Sequence, residues 1–358
     1  SDDITNTYQF DNFGRTISVQ SSKSGSNYGA STFQYSSATV NSDAGNINQL
    51  NKLIGCASIG RNTLNHVLNG NAESEAYWKS AKWVNDCTYT FGTSAEQKLF
   101  GNSSFKLNST AVTGDGRARI YQDFDTKAII PGGQYTFSAY VKTSNITIAN
   151  GTDNGKNCGA CLNVNVFTEN NSNDISQYAE MVTGTTDTQI NNGWVRISTT
   201  VTIPSNVTLT RLNLAIRNAT GTAFFDGIQV EGAGVANSFN MLNNPSFERL
   251  SSGSKGILWN YGDISSTDIC NSQNVKQGSY SYKIVGEASK KKEVYQIVPV
   301  SGSESDTYIV SGWAKADAVP ATNSNRKFKI SISVTYSDGT VVAKPPAEFN
   351  TSVSGWQY

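Results

Sequence analysis

The sequence predicts an all-β protein. It reads as hairpin strands followed by two tandem β-sandwiches, the second lacking its last strands. Three observations carry this. Segment after segment alternates apolar and polar residues with period two, the pattern of half-buried strands. Gly-rich turn signals separate those segments, and no stretch keeps a helical period. A set of landmarks also recurs at a nearly constant spacing, which marks a duplicated domain.

The bulk numbers set the frame. A chain of 358 residues is long enough for two or three domains. Its 28 basic and 28 acidic residues balance, so nothing steers it to nucleic acid or to an anionic membrane. Only 16% of residues are charged, whereas 16 Tyr, 15 Phe and 6 Trp supply flat apolar faces with polar tips for neutral polar ligands. No apolar run has the length of a membrane span. SDDITNTYQF, at the start, has neither a basic n-region nor an apolar h-region, so no signal peptide is expected there.

Residues 1–64 come first. YQFDNFGRTISV at 8–19 predicts a strand, a turn at Asn12-Phe13-Gly14 and a second strand, with FQYSS and NKLIGCAS as further strands. The segment is too short and too polar for a core of its own. It is expected to lean on the first sandwich or on other polypeptide.

Residues 65–238 form the first sandwich. In YTFSAYVK, Tyr135, Phe137, Ala139 and Val141 share the inward face and Tyr140 and Lys142 the outward one. LNVNVF turns Leu162, Val164 and Val166 inward and Asn163, Asn165 and Phe167 outward. RLNLAIRN turns Leu212, Leu214 and Ile216 inward and Arg211 and Arg217 outward, and the same alternation in RARIYQDF puts Arg119 and Tyr121 outside. Turns are expected at Pro131-Gly132-Gly133, Asn192-Gly193 and Asp338-Gly339.

Residues 239–358 repeat the plan. GNSSFKL from Gly101 returns as GSYSYKI from Gly278, and YTFSAYVKT from Tyr135 as YIVSGWAKA from Tyr308. Gln122 matches Gln296, Leu68 matches Leu242, and Trp83 matches Trp259; the five offsets are 177, 173, 174, 174 and 176. Trp83 is therefore expected in the core, and Trp78, which lacks a match, at the surface. Trp194 leads RISTTV, RLNLAIRN and AFFDGIQVE, whereas few residues follow its counterpart Trp356. The incomplete copy should expose a flank of its core and leave ladder edges unpaired. Its missing strands are expected from another segment of the parent polypeptide, and the chain reads as a fragment.

Little in the chain suits catalysis. The sole histidine, His66, sits in a linker and is expected at the surface, and no paired carboxylates or phosphate loop stand out. The CxxC at Cys158 and Cys161 lacks a second metal-ligating pair and a helix to follow it, so those thiols are expected to be unbonded, or bridged within the loop, and without chemistry.

The ordered set NHVLNGNAE, GNSSFKL, YQDF, PGGQYTFSAYVKT, GWVRISTTVTIP and TAFFDGIQVEG resembles carbohydrate-binding modules of the galactose-binding-like jelly-roll type. The second copy resembles them through LNNPSFE, GSYSYKI and YIVSGWAKA. YQFDNFGR resembles the YD repeat of Rhs-type proteins, large secreted or surface proteins of bacteria. The resemblance implies non-catalytic glycan binding on a concave sheet or at loop tips, in a secreted or cell-surface bacterial protein. Arg119, Tyr121, Tyr140, Asn163, Asn165, Phe167 and Arg217, with Trp313 in place of Tyr140 in the second copy, are the candidate ligand-binding residues. It further implies a structural Ca²⁺ site where the first strand meets the last, with Glu73 and Asp226 in the matching positions and Asn71 beside them. The competing readings of function are a rigid spacer with no ligand and, more remotely, an enzyme; the alternative to the cation is that Glu73 and Asp226 bond only backbone amides at strand ends.

Overall fold

The structure is a computed structural model. It describes strand residues 4–10, 16–23 and 26–32, then 64–83, 87–113, 116–149, 158–169, 173–179, 192–232, 236, 239–302, 308–316, 326–350 and 354–358. The chain divides into two compact units, Ser1–Asn62 together with Tyr358, and Thr63–Gln357. No α-helix occurs among the described residues.

The first unit contains an antiparallel three-stranded sheet, β1 (Ile4–Phe10), β2 (Thr16–Lys23) and β3 (Ser26–Thr32), in that order. The strands of YQFDNFGRTISV pair, with Tyr8 opposite Val19. Its turn, and the expected strands FQYSS and NKLIGCAS, lie outside the described residues.

In the second unit, residues 64–232 make a sandwich of two five-stranded antiparallel sheets. The strands are β4 (Lys79–Trp83), β5 (Cys87–Ser94), β6 (Ser104–Val112), β7 (Arg117–Phe124), β8 (Gln134–Ile148), β9 (Gly159–Thr168), β10 (Asn173–Tyr178), β11 (Val195–Thr202), β12 (Val207–Arg217) and β13 (Ala219–Gly232). One sheet has the order β10-β9-β12-β7-β4 and the other β11-β8-β13-β6-β5. The late strands β12 and β13 thus hold the centre of each sheet. Apart from the pairs β5–β6 and β9–β10, successive strands fall in opposite layers, so the remaining sheet neighbours are fixed by pairing between strands distant in sequence.

Alternation supplies the core between the layers. Phe137, Ala139 and Val141 of β8, Leu162, Val164 and Val166 of β9, and Leu212 and Leu214 of β12 are fully buried, as their spacing predicts. Phe105, Ile120 and Phe225 join them. Burying one such side chain contributes about 2–3 kcal/mol. The three expected turns form: Gly132, Gly193 and Gly339 all take positive φ, and the Gly339 amide closes on the Tyr336 carbonyl at 3.0 Å.

Trp78 corrects an expectation. It is buried at 7% exposure, meets Phe105 edge-on at 5.1 Å, and donates its indole N–H to the Leu68 carbonyl at 3.2 Å. Trp259 does the same in the second copy, donating to the Asn244 carbonyl at 2.9 Å beside Phe247. Each follows a residue with positive φ, Tyr77 or Leu258. The structural partner of Trp259 is therefore Trp78 and not Trp83. The mismatch arises because the second copy carries extra residues, SSGSKG, between its turn and its tryptophan, which shifts a match made by spacing alone.

Residues 239–357 retain only short ladders. β14 (Asn260–Gly262) pairs with β17 (Glu293–Tyr295), β15 (Ile269–Asn271) with β16 (Ser281–Lys283), and β18 (Ala314–Lys315) with β23 (Trp356–Gln357). β19 (Lys329–Ile330) pairs with β22 (Ala347–Glu348), and β20 (Ser333–Thr335) with β21 (Val341–Ala343). One buried ion pair locks the early part: Lys292 Nζ lies 2.8 Å from Asp268 Oδ2. Arg249 anchors it to the first sandwich, donating to the His66 carbonyl at 3.3 Å and lying over Phe124.

Candidate functional site

The outer face of the β10-β9-β12-β7-β4 sheet gathers most of the predicted ligand-binding residues. Register dictates the rows. Lys79, Tyr121, Asn213, Asn163 and Tyr178 stand in one row across the five strands. Asp123, Arg211, Asn165 and Ser176 form the next. Arg119, Ala215 and Cys161 lie on the other side, followed by Arg117 and Arg217. Because Ala215 and Cys161 are small, the long side chains around them leave a shallow hollow, open to solvent and with room for about one water molecule, lined by Arg117, Arg119, Asn163, Tyr178, Asn213 and Arg217 among others.

The floor of this hollow is an amide network. Asn213 Nδ2 donates to Asn165 Oδ1 at 2.8 Å and to Asn163 Oδ1 at 3.2 Å. Asn163 Nδ2 in turn donates to Ser176 Oγ and to the Gln177 carbonyl. Asn163 and Asn165 are 5% and 4% exposed, and Arg217 is 9% exposed. The expectation that alternation presents these three to solvent fails, because taller neighbours on the same face bury them. Their amides satisfy one another, as buried polar groups must.

The rim is built from arginines and aromatic rings. The Arg211 guanidinium lies 4.2 Å over Tyr121 and 5.6 Å from Phe167, and holds Asp123 through two bonds of 2.6 and 3.1 Å. Arg119 reaches Asn213 Oδ1 at 3.1 Å and stands 5.3 Å from Tyr121. Burial, then Arg211, lowers the Arg119 pKa below the ordinary guanidinium value. Arg117 donates to the Tyr178 hydroxyl at 2.9 Å, and Arg217 covers the Tyr178 ring at 5.1 Å. Guanidinium N–H groups and tyrosine hydroxyls fixed in this way suit hydroxyl or carboxylate oxygens.

Tyr140 does not belong to this set. Its strand, β8, is in the other sheet, so Tyr140 points away from the hollow on the opposite side of the sandwich. There it packs edge-on against Phe100 at 5.5 Å and under Arg196 at 5.3 Å. Phe239 covers Phe100 in turn at 4.8 Å, and Lys142 donates to the Asn192 carbonyl. Alternation assigns a face within one strand but not the sheet to which that strand is recruited. Trp313 lies in the second copy, with Lys276 Nζ 4.1 Å above its ring, and joins neither group. Tyr178, Arg117 and Asn213, which sequence reasoning missed as candidates, line the hollow. Arg117 and Asn213 could have been found by extending the alternation of RARIYQDF and RLNLAIRN.

Of the candidate cation ligands, Asp226 lies inside β13 at its bulge, and Asn71 and Glu73 lie in the turns before β4. Asp226 is fully buried; Oδ2 accepts from the Leu99 and Phe100 amides, both at 2.8 Å, and Oδ1 from Gly227 at 2.7 Å. Burial pushes its carboxyl up to about 7; the three amides pull it down without overcoming that, and the nearby charge of Glu73 adds to the rise. Glu73 Oε1 accepts from the Asn102 amide at 2.7 Å, and a side chain on Gly101 would strike it. Asn71 is 4% exposed, and its Oδ1 has no hydrogen-bond partner among the described residues. Both carboxylates thus already accept backbone amides, and no group of three His, Cys, Asp or Glu side chains assembles among the described residues; the orphaned Asn71 oxygen is the one feature here that suits a hard cation.

His66 and the cysteines complete the inventory. His66 is half-buried rather than at the surface, edge-on to Tyr135 at 5.6 Å. Burial and then Arg249 lower its pKa to about 4, so it is neutral at pH 7. Cys158 and Cys161 are buried thiols, and burial raises the Cys161 pKa to about 12.

No protein-family model matches the sequence, and no curated protein does. Among solved structures, the chain is similar to a family 16 carbohydrate-binding module, at 18% identity and a TM-score of 0.32, covering 46% of this chain and 99% of that one. It is also similar to the C-terminal family 22 carbohydrate-binding module of Clostridium thermocellum Xyn10B, at 13% identity and a TM-score of 0.33, over 49% of this chain and 99% of that one. A third is the enzymatically active domain of tailspike protein 4 of bacteriophage CBA120, at 16% identity and a TM-score of 0.33. There the match covers 47% of this chain and spans 21% of the tailspike chain.

Proposed function

We propose that the first sandwich is a non-catalytic carbohydrate-binding module whose binding face is the outer surface of the β10-β9-β12-β7-β4 sheet. The observation that carries this is the cluster of Arg117, Arg119, Tyr178 and Arg217 on one sheet face, around a shallow hollow with a satisfied asparagine floor. A sugar there meets donors held in place before it arrives, which reduces the ordering cost of binding. Tyr121 and Phe167 at the rim supply apolar ring faces for the sugar's C–H side. The partner is a polysaccharide or glycoconjugate.

The wider reading rests on the sequence. YQFDNFGR supports a secreted or surface-borne bacterial protein of the Rhs type, in which the modules attach a larger body to a glycan. We further propose a structural Ca²⁺ held by Asn71, Glu73 and Asp226, supported by the orphaned Asn71 oxygen.

A second reading, a spacer with no ligand, is favoured by one observation. Arg211 fills the space between Tyr121 and Phe167, so those rings already carry a partner on one face. Affinity electrophoresis against a panel of neutral and acidic polysaccharides separates the two. Binding to at least one, reduced tenfold or more by Arg119→Ala and by Tyr121→Ala, supports the module. No retardation on any member supports the spacer.

A further inference from the structure

The second copy places two charges where the first has apolar side chains. Cys270 opposite Tyr282 repeats Thr93 opposite Phe105, and Glu293 opposite Gly262 repeats Arg119 opposite Ala81. By the same offsets, 177 and 174, Asp268 takes the place of Phe91 and Lys292 that of Ala118. Ala118 is fully buried in the first core, and Phe91 packs against that core. The side chains of Lys292 and Asp268 are just as deep, at 4% and 0% exposure. A buried ion pair is often no more stabilising than the apolar residues it displaces, because both charges must leave water. The pair therefore calls for a role besides stability.

Its surroundings have the parts of a condensation site. Lys292 Nζ donates to Asp268 Oδ2 at 2.8 Å, to Glu287 Oε1 at 2.5 Å and to the Val285 carbonyl at 2.7 Å. Both oxygens of Asp268 accept backbone amides, Oδ1 from Val285 at 2.7 Å and Oδ2 from Ser265 at 2.6 Å. Glu287 is itself held, by the Ser265 hydroxyl and by Lys290 Nζ at 2.7 Å from Oε2. Burial raises the Asp268 carboxyl, yet Lys292 and the two amides hold it below its ordinary value, so the pair starts as ions.

We propose that Asp268 and Lys292 condense into an intramolecular amide, with Glu287 as the proton relay. Lys292 Nζ attacks Asp268 Cγ; the N–C bond forms and the bond from Cγ to Oδ2 breaks. Two of the three Nζ protons leave, one passing directly to Oδ2 and one by way of Glu287 Oε1. Both end on the departing oxygen, which leaves as water. Nothing is oxidised or reduced, and no co-reactant is needed. Oδ1 stays as the amide oxygen, and the Val285 N–H already aimed at it stabilises the negative charge that gathers there. Contact between amine and carboxyl in the folded chain replaces a bimolecular encounter. Two buried charges become one neutral amide. The bond joins the segment entering β15 to the segment entering β17, and so ties the β15–β16 ladder to the β14–β17 ladder.

Intact-mass spectrometry of the 358-residue chain, folded first and then denatured, tests this. The expected mass lies below the sequence mass by one water. A digest should yield one branched peptide that links the stretch around Asp268 to the stretch around Lys292. Lys292→Arg and Asp268→Ala should each return to the full mass of their own sequence, and Glu287→Gln should leave most of the chain at full mass. A folded parent chain at its full sequence mass overturns the proposal. A missing water that persists in Lys292→Arg also overturns it, because the dehydration then lies elsewhere, as at an Asp-Gly succinimide. Complete bonding in Glu287→Gln overturns the relay.

Discussion

Gln122 and Gln296 make the same pair of hydrogen bonds 174 residues apart. Gln122 Oε1 accepts from the Leu68 amide at 2.9 Å while its Nε2 donates to the Leu68 carbonyl at 3.0 Å. Gln296 closes on the amide and carbonyl of Asn243 in the same way, at 3.0 and 2.5 Å. Each ties the segment entering a sandwich to the strand beneath it. The difference lies in burial: Gln122 is 3% exposed, whereas Gln296 is half-buried.

Gln122→Leu therefore leaves the buried Leu68 amide unpaired and its carbonyl with the Trp78 indole alone, and should destabilise the first sandwich by roughly 1–3 kcal/mol. Gln296→Leu, where water replaces the lost bonds, should cost less than about 1 kcal/mol. Urea unfolding followed by tryptophan fluorescence measures both. Equal effects would mean that the burial of the glutamine does not set the cost of losing its bonds.

This repeated clasp also shows how far the sequence was legible. Alternation in YTFSAYVK and LNVNVF gave the buried faces, because period two is a property of one strand and survives any topology. The site was only half legible. Arg119, Tyr121 and Phe167 share one sheet, with Arg211 between the two rings, but Tyr140 was placed with them and lies on the other sheet. Which strands share a sheet is decided by pairings more than 50 residues apart, such as Arg119 with Ala215, and no local pattern records them. Asn163 and Asn165 point outward as alternation requires, yet they are buried, because height on a sheet face depends on the neighbours in the next strand.

Asp226 gives the stability a pH dependence. Its folded carboxyl titrates near 7, above the unfolded value of about 3.9, so the folded state holds the proton more tightly. Stability from this group is full below about pH 4 and is lost as pH rises toward 7. With chelator present, melting temperature should fall across that window, and Asp226→Asn should flatten the fall. Added Ca²⁺ should raise the melting temperature above pH 7 in the parent chain and not in Asp226→Asn. A parent chain indifferent to Ca²⁺ would remove the proposed cation.

The thiols should be silent in the native state. Cys158 and Cys161 are at most 1% exposed, and a thiol near pKa 12 has almost no thiolate at neutral pH. Iodoacetamide at pH 8 should label neither residue until denaturant is added. Peptide mass spectrometry reads the outcome, and rapid native labelling of Cys161 would point to an opening of β9.

Tyr140→Ala should separate stability from binding. The side chain fills the space between Phe100 and Arg196, and the Phe100 segment is held down by Asp226 through the Leu99 and Phe100 amides. Losing the ring removes an aromatic pair and its buried area, a cost of about 2 kcal/mol. Because Tyr140 stands on the far side of the sandwich from Tyr121, glycan retardation should stay within twofold of the parent chain. Tyr121→Ala should show the reverse, with binding lost and stability changed by less than about 1 kcal/mol, since its ring is half-exposed beneath Arg211. If Tyr140→Ala abolished retardation while Tyr121→Ala did not, the binding face would belong to the β11-β8-β13-β6-β5 sheet.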